Sequence, residues 1–182
     1  MSRAVVEPAV STQLLARFRV ALGWVFAPLV LIVAEPTVES IAVGMSIAAA
    51  GELLRIWAAG HLNKSREVTS SGPYRWFAHP LYVGSSVMGA GLGIASHSII
   101  VVGLIAGYLF LTLSAAIASE EAYLRRTFGD QYDLYRSGRD AARAAGSTRA
   151  FSASLAIKNG EHRAVIGLVV AILLLVLKSR MR

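Results

Sequence analysis

The sequence predicts an all-α integral membrane protein, a bundle of about five transmembrane helices. Three observations carry this. Hydrophobic residues make up 55% of the 182 and the mean hydropathy is +0.56. Only 16% are charged, against about 25% in soluble domains. Apolar runs recur at lengths suited to a bilayer core, which needs about 20 helical residues for about 30 Å. Each run reads as helix, because an unpaired strand in lipid leaves its backbone groups unsatisfied.

The first segment spans roughly Phe18–Ala34 and is ended by "EPT". The second is roughly Val38–Gly60, the third Leu81–Ser96, the fourth Ser98–Ala118 and the fifth Ala164–Leu177. The connections "EPT" and "SHS" are short, so segments 1–2 and 3–4 are expected as antiparallel hairpins. The fifth has only 14 residues, about 21 Å of helix. It is read as spanning a thinned bilayer, with a re-entrant or surface-lying course as the other readings.

The net charge is +7. In a soluble protein that would suggest nucleic acid. Here the cations flank apolar runs, so lipid headgroups and topology explain them, and no nucleic-acid partner is expected. Arg3, Arg17 and Arg19 precede the first segment, and Lys64, Arg66 and Arg75 lie between the second and third. Eight cations lie in 119–163, and the turns at 35–37 and 96–98 have none. This alternation places the N-terminus and the two basic loops in the cytoplasm. Lys178, Arg180 and Arg182 break it if the fifth segment spans. There are no cysteines, which removes disulfides, Cys-ligated zinc and a thiol nucleophile. No metal site is expected. "MSRAVVEPAV" shows no apolar region before Pro8, so no cleavable signal is expected.

Chemistry gathers at one membrane face. "GPYRWFAHPLYVG", Gly72–Gly84, puts two prolines, two tyrosines, a histidine and an arginine at the mouth of the third segment. Pro73 and Pro80 restrict the backbone. His79 as a cap, and Tyr74 and Tyr82 in an aromatic belt, are the structural alternatives. Segment 3 is crowded with small residues: Gly89 and Gly93 form a small-xxx-small pair, and Gly84, Ser85 and Gly91 add to it. Close helix packing is their first explanation. Segment 2 carries Glu52 and Arg55 on one face, as an ion pair or as part of a site.

Segment 4 ends in Glu120 and Glu121, which point about 100° apart on a helix. Glu121 can pair with Arg125 at i,i+4, leaving Glu120 to face the bundle. Beyond them, Tyr123, Leu124, Phe128, Tyr132, Leu134 and Tyr135 form an amphipathic pattern suited to the interface, interrupted by Gly129. The hairpin returns this end to the Gly72–Pro80 loop, so the set describes a polar pocket roofed by loop and floored by membrane helices.

The order "GPYRWFAHPLYVG", a Gly-rich span, then "EEAYLRRTFGDQYDLY" resembles the isoprenylcysteine carboxyl methyltransferase family, related to the phospholipid N-methyltransferases. The likeness covers about residues 50–136 as a methyltransferase core, with 164–177 as an added hydrophobic helix. It implies S-adenosylmethionine as methyl donor and a lipophilic or lipid acceptor: an isoprenoid, a lipid or a small amphiphile. It also implies a donor pocket capped by loop and helix at the cytosolic membrane face, here expected at a bacterial inner membrane. Carried over by residue, Pro73, Tyr74, His79, Leu81, Tyr82, Gly84, Glu120 and Glu121 are the expected donor-binding set, and Glu121 and Arg75 the expected catalytic pair. Two positions depart from the family. Ala78 stands where an arginine precedes His-Pro, with Arg75 a possible substitute. "RSGRDAAR" replaces Val-Pro-Arg, with Arg139 in that arginine's place. An NADPH-dependent reductase of the sterol reductase type and a non-enzymatic scaffold are the other readings. The paired glutamates oppose the first, since carboxylates repel phosphate. Oligomeric state is not legible.

Overall fold

The computed structural model describes residues 26–63, 67–138 and 149–181. Residues 18–25 of the first expected segment, and Arg139, lie outside them. Among the described residues every regular element is helical. Helix α1 runs through 26–33, α2 is Val38–His61, α3 is Pro80–Ala95 and α4 is Ile99–Phe128. Then come α5, Asp130–Arg136, α6, Ala153–Lys158, and α7, Glu161–Arg180. A 3-10 turn, Gly72–Arg75, precedes α3. Helices α2, α4 and α7 are long and apolar enough to cross a membrane, and α3 is a shorter apolar helix.

Helix α2 starts where Thr37 and Ser40 satisfy each other's backbone N–H groups in a capping box. It packs on α3 almost backbone to backbone. A Cβ at Gly44 would sit 2.4 Å from the Gly91 carbonyl oxygen, and one at Gly91 2.5 Å from that of Gly44. Two turns along, Gly51 and Gly84 repeat the reciprocal contact at 2.6 and 2.7 Å. Each contact tolerates no side chain. Van der Waals packing of this kind drives helix association where no hydrophobic force acts between helices. The small residues of α3 therefore serve two neighbours: Gly84 and Gly91 meet α2, while Gly89 and Gly93 face Leu109 and Val102 of α4.

The two hairpin turns meet at one end of the bundle. Glu35 donates its N–H to the Ser96 carbonyl at 2.7 Å, and Ser40 Oγ donates to the Ala95 carbonyl at 3.1 Å. His97 turns the second hairpin with φ +50°. The buried cluster of Ala34, Ile41, Ala95, Val101 and Leu175 sits at this end.

Helix α7 runs the full depth beside α1 and α2. At its start Asn159 Nδ2 donates to the carbonyls of Ala59 and Leu62, closing the end of α2 at 2.9 and 2.8 Å. At its far end Lys178 Nζ donates to the carbonyls of Leu31 and Ile32, at the end of α1. Its 20 residues make about 30 Å, longer than the apolar run 164–177 alone. Lys178, one of the three cations that broke the charge alternation, thus caps a helix C-terminus, where the dipole favours it.

Candidate active site

The Gly72–Gly84 stretch is shaped by its own residues. Gly72 adopts φ +56°, and a Cβ there would strike the His61 ring at 2.5 Å. Pro73 is fully buried and Tyr74 nearly so. His79 sits at the α3 boundary, where its carbonyl accepts from the N–H groups of Tyr82 and Val83. Its side chain makes no cap. It projects to α4 instead.

There the ring reaches both glutamates. Nε2 donates to Glu121 Oε1 at 3.2 Å, and Nδ1 lies 3.7 Å from Glu120 Oε2. The two nitrogens of an imidazole face different directions, so one ring sits between two carboxylates that diverge along the helix. The Tyr82 hydroxyl donates to Glu120 Oε2 at 2.8 Å, and its ring stacks on His79 at 5.6 Å. Arg136 of α5 pairs with Glu121, its Nε 3.1 Å from Oε1, while Arg125 approaches Oε2 at 3.8 Å.

Gly129, with φ +51°, ends α4 and turns the chain into α5. That helix packs back on the loop rather than lying only on the interface. Tyr135 Oη donates to the Tyr74 carbonyl at 2.9 Å and lies 3.4 Å from that of Phe77. Tyr132 is 1% exposed, and its hydroxyl finds no hydrogen-bond partner among the described residues. Burial, reinforced by the Glu120 charge at Tyr74 and the Glu121 charge at Tyr132, raises both phenols above their ordinary range. Tyr123 and Leu134 keep the exposed positions expected of interface residues.

Two cavities meet at Tyr82. The larger is about 1240 Å³. Arg55, Ser85, Ser119, Glu120, Glu161 and Arg163 supply polar groups to it, and apolar side chains of α1, α3, α4 and α7 line the rest. The smaller, about 760 Å³, runs between α3 and α4 below His79 and Arg136 and is otherwise nearly all hydrocarbon. Leu81 lines the larger cavity and Ala78 the smaller.

Of the expected site residues, His79, Tyr82, Glu120 and Glu121 converge. Pro73 and Tyr74 support the loop beneath them, and Gly84 belongs to the α2–α3 contact. Arg75 is not brought in: it is exposed, with its guanidinium 5.8 Å from the Trp76 ring centre. Arg136 holds Glu121 instead, and nothing in its sequence context marked it out from neighbouring arginines. Arg55 makes the expected ion pair with Glu52 and has a second partner as well. It binds both carboxylate oxygens of Glu161 at 3.1–3.2 Å and donates to Ser85 Oγ. Glu52 lies 3.4 Å from Arg55 Nε, within ion-pair range but outside hydrogen-bonding geometry. A partner 106 residues away carries no local spacing signal. Among the described residues, no three His, Asp or Glu side chains are grouped to hold a metal ion.

An all-α membrane bundle with a titratable cluster at the mouth of an apolar cavity is the class that fold and site define. The phospholipid methyltransferase family matches residues 37–131, and the chain belongs to that family. It is 36% identical over 95 residues to a nickel-cobalt-cadmium resistance protein of Alcaligenes xylosoxydans xylosoxydans, covering 51% of this chain and 43% of the relative. It is 32% identical over 87 residues to the protein-S-isoprenylcysteine O-methyltransferase of Schizosaccharomyces pombe, covering 48% and 37%. A cobalt-zinc-cadmium resistance protein of Cupriavidus metallidurans is 30% identical over 120 residues, covering 65% and 50%. The match spans half or less of the length of each relative. No solved structure gives a significant match.

Proposed function

We propose that the protein is an integral membrane methyltransferase that uses S-adenosylmethionine to methylate a lipophilic acceptor at the cytosolic membrane face. The observation that carries this is the joining of His79, Tyr82, Glu120, Glu121 and Arg136, from three helices, where two cavities meet: Tyr82 and Glu120 line the larger, and His79, Tyr82 and Arg136 the smaller. Family membership and the isoprenylcysteine methyltransferase relative support it.

The residues suit the donor's chemistry. When bound, it supplies a methyl group on a sulfonium, which passes to a lone pair of the acceptor as the carbon–sulfur bond breaks to leave a thioether. Glu120 is the carboxylate for the donor's positive groups: its side chain is 39% exposed and lines the larger cavity. Tyr82 orients that carboxylate, and His79 spans it to Glu121. Glu121, already held by His79 and Arg136, acts as a positioning residue. Arg163 lines the same cavity and is the cation suited to the donor's own carboxylate. Leu81 and the apolar walls exclude water, which favours an in-line displacement needing alignment more than acid–base chemistry.

Calorimetric titration of the detergent-solubilised protein with S-adenosylmethionine and, separately, NADPH tests this. Saturable donor binding, weakened at least about tenfold in Glu120→Gln and in His79→Ala as expected for loss of charge-assisted bonds, supports it. NADPH binding without donor binding sinks it.

A further inference from the structure

We infer that Arg55 is a two-position latch: paired with Glu161 it docks α7 on the bundle, and paired with Glu52 it lets α7 go. The latch goes beyond the methyltransferase reading and does not rest on it, since α7 lies outside the family match of 37–131. In the docked position Arg55 serves Glu161. Its Nε donates to Oε2 at 3.2 Å and its Nη2 to Oε1 at 3.1 Å, while Nη1 donates to Ser85 Oγ. Yet the same Nε lies only 3.4 Å from Glu52 Oε2, on its own helix. Glu52 is 4% exposed, and neither of its carboxylate oxygens accepts a hydrogen bond among the described residues. One guanidinium thus stands between two buried carboxylates and satisfies only one of them.

This arrangement brings the two positions close in energy. A buried carboxylate without hydrogen bonds is costly, and the docked position carries that cost at Glu52. Passing Arg55 to Glu52 removes it. Glu161 then loses its partner, but it stands in the first turn of α7, where the helix dipole favours a carboxylate, beside the exposed His162 and Arg163. Little else resists a shift of α7. Of its apolar side chains only Leu168 and Leu175 are buried, and lipid tails replace such contacts with little loss. Gly160, with φ +91°, joins α6 to α7 and forms the pivot. The ties of Asn159 to α2 lie before that pivot and stay in place. Arg55, Glu161 and Glu120 line one cavity, so the exchange changes the charge presented there. Docked, Arg55 and Glu161 form a neutral pair; released, Glu161 is a lone carboxylate.

The test uses the full chain in nanodiscs, spin-labelled through Val43→Cys and Leu173→Cys. Both positions are exposed, and the chain has no cysteine of its own. Double electron–electron resonance should show a docked distance and a second, longer one. Glu161→Gln should raise the ratio of the longer to the docked distance about tenfold or more, the scale of one charge-assisted hydrogen bond. Glu52→Gln should remove the longer distance. Chemical unfolding of the same chains supplies an independent sign. Glu52→Gln should leave the midpoint in place or raise it while Glu161 is present. In the Glu161→Gln background it should lower the midpoint, because Arg55 then has no carboxylate. A merely structural ion pair predicts no such reversal. A fall in midpoint on Glu52→Gln in both backgrounds overturns the latch, and so does a distance distribution that neither single variant changes. If the double variant does not fold, Glu161→Gln alone decides: a distribution equal to that of the wild type overturns the latch.

Discussion

Adjacent residues on a helix point about 100° apart, and at Glu120 and Glu121 that angle separates two environments. Glu120 lines the cavity with one hydroxyl donor, while Glu121 is surrounded by His79, Arg136 and Arg125. Their glutamine variants should therefore differ. Glu120→Gln should weaken donor binding about tenfold or more with little change in thermal stability. Glu121→Gln should instead loosen α5, seen as faster hydrogen exchange across 130–136. Equal effects of the two on both readouts would show that the environments are not distinct. Tyr135→Phe should destabilise by about 1–2 kcal/mol, because it strips the buried Tyr74 carbonyl of its donor.

The raised phenols of Tyr74 and Tyr132 set an alkaline limit. Below about pH 10, the ordinary phenol value, both folded and unfolded states keep these protons. Above it the unfolded chain ionises first, so stability falls as pH rises. Tyr132→Phe should flatten that fall in a pH series of unfolding midpoints.

Among the elements, the α2–α3 pair has the least freedom. Gly51→Val would drive a side chain into the backbone of Gly84 and Met88. It should cost at least about 3 kcal/mol or abolish folded yield in detergent. Gly107→Ala, where a Cβ meets nothing within 4 Å among the described residues, should be neutral or stabilising by up to about 1 kcal/mol. Docking of α7 turns on a charge asymmetry. Arg55 lies among Glu161, Glu52 and Ser85. Arg55→Met leaves two buried carboxylates facing each other, so it should destabilise by at least about 3 kcal/mol. Glu161→Gln leaves Arg55 still beside Glu52 and should cost less. Chemical unfolding of the two variants in one detergent checks the order, and the reverse order would mean that the cluster is wired differently.

At the scale of the whole molecule, the chain's lack of cysteine makes topology directly measurable. His97 and Met181 lie at the hairpin-turn end and Ser154 at the other. Single cysteines at 97 and 181 should react with an impermeant maleimide from one side of the membrane, and one at 154 from the opposite side. Labelling of 181 and 154 from the same side would deny that α7 crosses. The four helical segments from Val38 onward were legible in outline because composition and length alone decide what lipid will accept. Boundaries were less so. The fourth helix continues ten residues past the apolar run, from Ala118 to Phe128, since nothing stops a helix there until Gly129.

The sequence by itself determined the helical membrane class, the meeting of the Gly72–Gly84 stretch with Glu120 and Glu121, and the family likeness. Each of these rests on composition or on short motifs whose order along the chain brings them to one membrane face. Only the tertiary structure decided which small residues meet which helix, that Arg136 rather than Arg75 holds Glu121, and that Arg55 pairs with Glu161. These are choices of rotation about a helix axis and of partners distant in sequence. Local periodicity is silent on both, because several faces of each helix are equally apolar and only packing selects among them.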